Sequence, residues 1–500
     1  AGIRLIGPDA PVAGRPARGI DIGAVPDVPA GLAATLSRFL SRPLSLALVA
    51  DIQAAVAASW RRAGYPFVSV TAPPQEITSG VLQLRVIEAR MGEVEVEGGA
   101  AARGPRLAAR IRARKGDRIR AAQLEEDLDW INRNPHRHVE AVFAAGIAPG
   151  ESDLTLRVTE QNPFSVFAGW SNTGAAATGR DRWFAGFGAW VPALNDLTFS
   201  YQLTGSGGFW GAPGRIVLAP GAYPSYLAHS ARFVQPTAPR QAIEFSPGLV
   251  ASREMPDPLV ALENLTLELP LIYRFAASEL FDGRQAGDFY FGAEYKRLHR
   301  RTYFGGVEVG TGAAALAQFV AGWSRGFSHR HGRGSVDLRM KGNPGGIVFG
   351  NDAASWSSFT GGRVATASYV YGAADFAHRL DLPAGFGWGS QAAATFATVA
   401  LLDTERMQLG GYHAARGYQI EDAAVDAGLV WRNELRLPDW VVPTSMGMTS
   451  RLSGFAFADA AYGIDIATGA PSTLASVGLG FDYDFGRHLS AGAVVAVPLL

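Results

Sequence analysis

The residues best suited to covalent chemistry lie in one stretch of the second half of the chain. Residues 322–326 read Gly-Trp-Ser-Arg-Gly and match G-x-S-x-G, the turn that carries the serine nucleophile of many hydrolases. That turn requires a strand followed at once by a helix, which exposes the serine hydroxyl. Here Phe319, Ala321 and Trp323 continue a two-residue alternation into a loop. We therefore do not expect Ser324 to be catalytic.

Two nearby histidines are the next candidates, this time for metal binding. His329 and His331 lie among Arg325, Arg330 and Arg333, whose charges would repel a cation, so a solvated loop is expected. The chain has no cysteine, which excludes disulfides, Cys-ligated zinc and thiol catalysis. It also has no phosphate-cradling glycine loop. We expect no enzymatic activity, no metal and no other cofactor.

The composition narrows the class of protein further. The 500 residues include 45 basic and 45 acidic side chains, so the chain is not built to coat nucleic acid. Hydrophobic residues make up 48% of it, yet no run approaches the about 20 apolar residues of a spanning helix. Together with 60 glycines, this leaves a soluble all-β protein or a transmembrane β-barrel. No signal sequence opens the chain at Ala1, so we expect any export signal to have been removed.

The elements that position these residues fall into two regions with different periods. Up to about residue 161 helix and strand alternate. After Ser45, the four-residue spacing of Leu48, Ile52, Val56 and Trp60 predicts a helix, and alternation over 81–88 predicts a strand. A second cycle repeats the pattern, with a helix whose apolar face is Leu124, Leu128 and Ile131. We predict a linker at 1–19 and two small α+β modules at 20–91 and 92–161.

A basic cluster lies in the second module, where residues 103–120 include eight basic residues and the single acid Asp117. Its members are Arg103, Arg106, Arg110, Arg112, Arg114, Lys115, Arg118 and Arg120. A solvated helix face explains the cluster most simply. The alternative is contact with lipid head groups or with an acidic polypeptide.

From Pro163 onward period-two alternation replaces the helical pattern. It is clearest over 197–204, 265–273 and 289–295, and glycine-rich breaks such as 206–208, 282–283 and 343–346 separate the runs. These 338 residues are too many for one sandwich. At about 21 residues per strand and connection they predict roughly 16 strands. We therefore expect a mostly β protein with a 16-stranded antiparallel transmembrane barrel over 162–500.

Several ordered segments resemble one family. Residues 72–88, 123–135 and 149–154 resemble the two POTRA domains of two-partner secretion transporters of the TpsB type, which serve proteins such as filamentous haemagglutinin and haemolysins. Residues 170–174 and 178–180 resemble their first barrel strands. The resemblance implies a monomeric bacterial outer-membrane protein with periplasmic POTRA domains. It would export an unfolded partner protein that carries an N-terminal secretion domain, contact outer-membrane lipids, and depend on the barrel-assembly machinery for insertion.

The most specific match lies near the C-terminus. Leu-Gly-Gly at 409–411, Ala-Arg-Gly-Tyr at 415–418 and Trp-Arg-Asn-Glu-Leu at 431–435 resemble the family's in-folded loop, placed here at about 405–428. In the family the loop's arginine meets the aspartate of a Phe-x-Asp motif, which corresponds to 457–459. The resemblance implies that the transport and gating residues are Arg416, Gly417, Tyr418, Phe457 and Asp459.

Side-chain chemistry and strand parity support this pair independently. Arg416 is permanently charged, so burying it in a barrel requires a carboxylate partner. Phe455, Phe457 and Asp459 share one strand face, while the opposite face carries no charge and can meet lipid. Asp459 is therefore predicted to point into the lumen. A pair that only stiffens the barrel is the alternative.

Other expectations are less specific. Passenger contacts in the POTRA modules are expected at Leu82, Leu84, Arg85, Arg110 and Arg114. The family's N-terminal plug helix is not expected within 1–19, because Gly7, Pro8, Pro11, Gly14 and Pro16 interrupt it. The final residue, Leu500, departs from the aromatic residue that ends many such barrels. A barrel-assembly factor of the same superfamily and a passive porin are the alternative functions.

Overall fold

A computed structural model describes residues 2–12, 17–100, 103–211, 218–281, 285–443 and 449–500. Gly14, Pro16 and the predicted turn at 282–283 lie outside these residues. The chain divides into two compact units, Ala1–Asn162 and Pro163–Leu500, which are treated separately below. Among the helices in the described ranges, none is both long and apolar enough to cross a membrane.

The first module of the N-terminal unit is a four-stranded sheet with two helices. Its elements are β1 (Gly2–Ile6), β2 (Gly19–Asp21), α1 (Leu32–Ser37), α2 (Leu46–Arg62), β3 (Val68–Thr71) and β4 (Val81–Glu88). The strand order is β2-β1-β4-β3, with β1 parallel to both β2 and β4. Because β1 is a strand of this sheet, the predicted linker at 1–19 is wrong for Gly2–Ile6.

Helix α2 forms as its sequence predicts. The Ser45 hydroxyl accepts a hydrogen bond from the Leu48 backbone N–H at 3.1 Å and caps the N-terminus. Gly64 follows the helix with a φ of 91°, a left-handed conformation that suits glycine. Between these ends the predicted apolar face is buried against the sheet, with Ile52 and Trp60 among its members. Burial of each such side chain stabilises the module by about 1.5–3 kcal/mol.

The second module repeats the α+β pattern with a three-stranded sheet. Its elements are β5 (Arg90–Gly98), α3 (Gly104–Ala108), α4 (Ala121–Asn132), β6 (Arg137–Ala145) and β7 (Glu151–Glu160). The strand order is β5-β7-β6. Ile131 of α4 is buried in the core, and Leu124 and Leu128 pack against it. The basic stretch 103–120 is not one helix, because α3 ends at Ala108 and a loop follows.

The C-terminal unit is a closed β-barrel. Its first strands are β8 (Phe164–Ser171), β9 (Arg182–Val191), β10 (Leu197–Gly205), β11 (Tyr226–Ala238), β12 (Gln241–Phe245), β13 (Gly248–Asp257) and β14 (Val260–Ala276), with the helical turn α5 (Gly207–Trp210). The middle strands are β15 (Asp288–Phe304), β16 (Val307–His329), β17 (Gly332–Asn343), β18 (Tyr369–Asp381) and β19 (Gly387–Phe396), with helix α6 (Ala353–Phe359). The last elements are β20 (Met407–Gln408), β21 (Ala424–Val425), β22 (Ala427–Arg436), β23 (Trp440–Pro443), β24 (Thr449–Ile464), β25 (Pro471–Phe485) and β26 (Leu489–Pro498).

The strand count comes close to the predicted 16 without matching it. Within the described ranges the barrel contains seventeen strand segments. Segments β12 and β13 pair with the same two neighbours, β11 and β14, and are two parts of one strand. Segments β22 and β23 likewise both pair with β24. Counting each of these two pairs once gives fifteen strands in the described ranges, and consecutive strands from β8 to β26 pair in antiparallel fashion.

Side-chain parity divides the barrel wall into two faces, as the alternation predicted. Phe291, Phe319 and Leu479 are more than half exposed on the outer face. On the same strands, residues of the opposite parity such as Lys296 and Gln318 are buried inside. The inner face is therefore polar and charged, and the outer face is apolar, as expected for contact with lipid.

Candidate functional site

A long loop between β19 and β22 lies inside the barrel. This segment, residues 397–426, is called the inner loop. The short strands β20 and β21 pair with each other and join its two arms into a hairpin. Leu409 and Ala415 are fully buried at the end of the hairpin and pack against Ala461 and Leu474 of the wall. The inner loop is thus seated on strands β22, β24 and β25.

An arginine at the loop tip is held by two wall carboxylates. Arg416 Nε and Nη2 donate to the two Asp459 oxygens at 2.7 and 2.8 Å, and its backbone N–H donates to the same carboxylate at 3.1 Å. Arg416 Nη1 donates to Glu434 Oε1 at 2.6 Å. The side chains of Arg416 and Asp459 are 3% and 0% exposed. The Arg416–Asp459 contact is therefore a bidentate, charge-assisted ion pair in a site that excludes most water.

Aromatic and charged neighbours complete the tip site. The Arg416 guanidinium lies 3.7 Å from the ring centroid of Phe457, within the range of a cation–π contact. Glu434 also pairs with Arg436 at 3.2 Å, and Arg436 pairs with Asp482 at 3.2 Å. The positive and negative charges of the site therefore alternate, so Arg416 is compensated without leaving a buried carboxylate unpaired.

The two residues after Arg416 fix the chain direction at the tip. Gly417 has a φ of 95°, and a Cβ there would lie 3.1 Å from the Ala496 Cβ. A larger residue would thus be strained in conformation and crowded against β26. The Tyr418 hydroxyl donates to the Ala475 carbonyl at 2.9 Å. The structure brings together Arg416, Gly417, Tyr418, Phe457 and Asp459, the five residues predicted for this site.

The remaining inner wall carries a chain of paired charges. Arg232 and Arg274 both contact Glu244, at 2.9 and 3.0 Å. On the following strands, the Tyr290 hydroxyl of β15 donates to Asp337 of β17 at 2.8 Å. Arg339 then links Asp337, at 3.0 Å, to Asp375. These groups run from β11 to β18, and each charged side chain has an opposite partner.

Ser324 and His329, the candidates for a nucleophile and a metal ligand, each contact another side chain of the barrel. The Ser324 hydroxyl accepts a hydrogen bond from Arg274 Nη1 at 2.9 Å, in the middle of a strand and not at a strand-to-helix turn. His329 Nε2 lies 2.9 Å from His378 Nε2 at the exposed end of β16. Among the described residues, no cluster of three metal-ligating side chains is found.

The predicted passenger-binding residues are not gathered at one surface. Leu82 and Leu84 are buried in the core of the first module, on a strand flanked by neighbours on both sides, so their predicted contact with a passenger is wrong. Arg85 Nη2 donates to the Ala10 carbonyl at 2.9 Å. Arg110 is half-buried and Arg114 is exposed. The exposed side chain of Arg114 stays a candidate for passenger contact.

Arg112 and Arg118 of the basic cluster are neutralised by carboxylates of the N-terminal unit. Arg112 pairs with Glu126 at 2.6 Å and with Asp127 at 2.8 Å. Arg118 pairs with Glu88 at 2.5 Å, and this hydrogen bond raises the pKa of Arg118. The prediction of one helix face is wrong, because the cluster spans a short helix and a loop, but its members Arg106, Arg114, Lys115 and Arg120 are exposed to solvent as predicted.

The acidic partners on the loop and wall are not predicted by the sequence patterns above. Glu434 lies within the motif at 431–435, which by itself indicates no role for its carboxylate. Glu405 of the inner loop contacts two of the three lysines in the chain, Lys296 and Lys341. Such scarce lysines at inward-facing strand positions are a signal that could have identified this contact.

The fold and the tip site together define a class. Two small α+β modules followed by a closed β-barrel match the POTRA-barrel architecture that the sequence predicts. The sequence matches the family model described as "Haemolysin secretion/activation protein ShlB/FhaC/HecB" over residues 272–482 and "POTRA domain, ShlB-type" over 24–89. The chain belongs to the ShlB/FhaC/HecB family of TpsB-type proteins.

Individual relatives agree with this assignment. Outer membrane transporter CdiB-2 of Burkholderia pseudomallei is 25% identical over 398 residues, which is 75% of this chain and 62% of that protein. Heme/hemopexin transporter protein HuxB of Haemophilus influenzae is 24% identical over 169 residues, 33% of this chain and 29% of that protein. The chain thus spans less than two thirds of these relatives' lengths.

Solved structures show the same fold. CdiB from Escherichia coli superimposes with a TM-score of 0.71 at 16% identity, covering 99% of this chain and 86% of that one. CdiB from Acinetobacter baumannii gives a TM-score of 0.61 at 13% identity, covering 100% and 85%.

Proposed function

We propose that this chain is an outer-membrane transporter that exports an unfolded partner protein to the cell surface. The observation that carries the proposal is the buried Arg416–Asp459 contact, which holds the inner loop within the barrel through a few directional bonds. A loop held in this way can be released as a unit when those bonds break. The transporter names of the relatives and the family description support the same function.

Capture of the partner would take place on the POTRA-type modules, by addition of one of its strands to a sheet edge. Strand β4 is interior, so capture would use an edge strand such as β6. The Asn132 side chain already bonds the Val139 N–H and carbonyl at 2.7 and 3.0 Å. That contact occupies one part of the β6 edge and directs an added strand toward Ala141–Ala145.

Transport would then require the loop tip to leave Asp459. The paired charges of the wall would let an extended segment pass without exposing an uncompensated charge. The energy would come from folding of the partner outside the cell, since nothing in the sequence suggests nucleotide use.

The test is to delete the gene in its native host and to compare the proteins released into the medium. We expect one large secreted polypeptide to disappear, to return with the wild-type gene, and not to return with Arg416→Ala or Asp459→Ala. Heat-modifiable migration on gels would show that both variants are folded and inserted. Normal secretion by both would refute the role of the pair, and an unchanged set of secreted proteins after deletion would refute export itself.

A further inference from the structure

A second buried ion cluster holds the inner loop at its base, around Glu405, which precedes Arg416 in the same loop. The Glu405 side chain is 1% exposed and lies 2.7 Å from Lys296 Nζ and 3.7 Å from Lys341 Nζ. The Tyr371 hydroxyl and the Gln318 amide donate to the same carboxylate at 2.6 and 3.0 Å. Four neighbouring strands, β15 to β18, therefore converge on one loop residue.

The two lysines are themselves compensated by wall carboxylates. Lys296 lies 3.2 Å from Glu268, and Lys341 lies 2.8 Å from Glu294. Removing Glu405 would take from Lys296 its nearest carboxylate, at 2.7 Å, and would leave the buried Gln318 amide and Tyr371 hydroxyl without the acceptor they share. Release of the loop base is therefore opposed by desolvated charges as well as by lost hydrogen bonds.

Apolar packing fixes the same part of the loop. Leu401 and Leu402 are fully buried against Trp356 and Phe359 of helix α6. This helix belongs to the segment between β17 and β18, and the Trp356 indole N–H donates to the Ala315 carbonyl of the wall at 2.9 Å. The base is thus enclosed between the wall and an adjacent connecting segment.

Charged contacts tie that connecting segment to both arms of the loop. Arg363 contacts Asp403 at 3.1 Å on the first arm and Asp426 at 3.5 Å on the second. Asp426 is fully buried and accepts the Leu401 and Ile466 backbone N–H groups at 2.9 and 2.8 Å. The tip packs through Leu409 and the small side chains Ala414 and Ala415, and its charged contact is the single residue Arg416 on Asp459 and Glu434.

We propose that Glu405, with Lys296 and Lys341, is a positioning site that keeps the loop base fixed while only the tip, residues 409–423, moves. The proposal rests on the proposed export function and adds to it the location of the moving part. Glu405 acts through the loop, because its anchoring sets where Arg416 meets Asp459. The path for the partner would then run beside β22, β24 and β25, with the opposite part of the lumen remaining closed.

The cysteine-free chain allows the two ends of the loop to be bridged selectively. Two double variants are prepared, Glu405→Cys with Lys296→Cys at the base and Arg416→Cys with Asp459→Cys at the tip. Each is treated with a short bifunctional methanethiosulfonate reagent, and its conductance steps are recorded in planar lipid bilayers. The reagent forms a covalent bridge between the two cysteines that replace the ion pair. A thiol reductant cleaves this bridge.

We expect the unbridged base variant to conduct more at rest than the wild type, by about tenfold, and bridging to restore the wild-type steps. Bridging the tip should abolish the steps until reductant is added. If bridging the base abolishes the steps, the base must move and the proposal is overturned. If bridging the tip leaves the steps unchanged, the gating role in the proposed function fails, whatever the base does.

Single substitutions separate positioning from general stability. We expect Glu405→Gln to raise the resting conductance and Lys341→Arg, which keeps the charge, to leave it within about twofold of wild type. The controls are made at the Arg240–Glu279 ion pair, which lies away from the loop and joins Arg240 Nη2 to Glu279 Oε1 at 2.8 Å. Glu279→Gln removes a charge from this pair, and Arg240→Lys keeps it. A rise with Glu279→Gln equal to that with Glu405→Gln would show a general loss of stability and would overturn the assignment.

Discussion

Replacing Asp459 with asparagine should shift the inner loop from its docked to an undocked state. The change keeps the side-chain size but removes the charge that faces Arg416 Nε and Nη2. Breaking one partner of a buried ion pair costs about 3–5 kcal/mol. Because Glu434 still contacts Nη1 at 2.6 Å, we expect the lower end, about 3 kcal/mol. At 1.4 kcal/mol per factor of ten, the undocked fraction should rise about 100-fold.

The undocked fraction can be measured with a single thiol. Ala415 is fully buried at the loop tip, and the chain has no cysteine, so Ala415→Cys introduces one site that reacts with a maleimide only after undocking. When docking is fast, the labelling rate is proportional to the undocked fraction. We expect labelling about 100-fold faster when Asp459→Asn is added to this background.

The matched control is Asp482→Asn in the same background. Asp482 contacts Arg436 at 3.2 Å and its side chain is 41% exposed, so its loss should change labelling by less than about fivefold. If Asp459→Asn accelerates labelling no more than Asp482→Asn, the Arg416–Asp459 contact does not hold the loop, and the reasoning about gating fails.

Three further predictions follow from single contacts. Tyr418→Phe removes the hydroxyl contacts with Ala475 and Leu500, worth at least about 1 kcal/mol, and should speed Ala415→Cys labelling about fivefold or more; no acceleration would show that these bonds are not needed for docking. Ser324→Ala should leave export unchanged, because its hydroxyl only accepts from Arg274, and abolished export would contradict this. Arg112→Ala should destabilise the second module by about 3 kcal/mol, measured as protease cleavage of the whole chain in rising urea; Arg157→Ala, which removes an exposed 3.5 Å pair, is its control, and equal sensitivity of the two variants would refute the estimate.

The barrel and modules could be predicted because periodicity reports directly on burial. The alternation of Phe455, Phe457 and Asp459 placed the aspartate inside, and the helix spacing around Trp60 located α2. The partner of Arg416 followed only from the resemblance, since sequence separation says nothing about which carboxylate a loop reaches. The first strand, Gly2–Ile6, is not predicted, because five residues followed by a glycine- and proline-rich segment give too little periodicity. Its pairing with β4 is a long-range contact that local propensity does not encode.

The burial of Leu82 and Leu84 shows a further limit of sequence reasoning. Alternation identifies a strand over 81–88, and passenger contacts are expected at its residues Leu82 and Leu84. Whether a strand is interior or at an edge depends on how the other strands are ordered, and no feature within 81–88 specifies that order. The same limit explains the basic cluster, where the partners of Arg112 and Arg118 come from α4 and β4.

The paired charges of the inner wall have a consequence for the speed of passage. An isolated charge would create a deep energy well for a passing segment of opposite sign and a barrier for one of the same sign. Along this wall Arg232, Arg274 and Arg339 are matched in number by Glu244, Asp337 and Asp375, which reduces the electrostatic potential that a passing segment would meet. During the proposed export, a partner segment would then meet no deep electrostatic well or high barrier. Its rate of passage would depend only weakly on its own charge pattern.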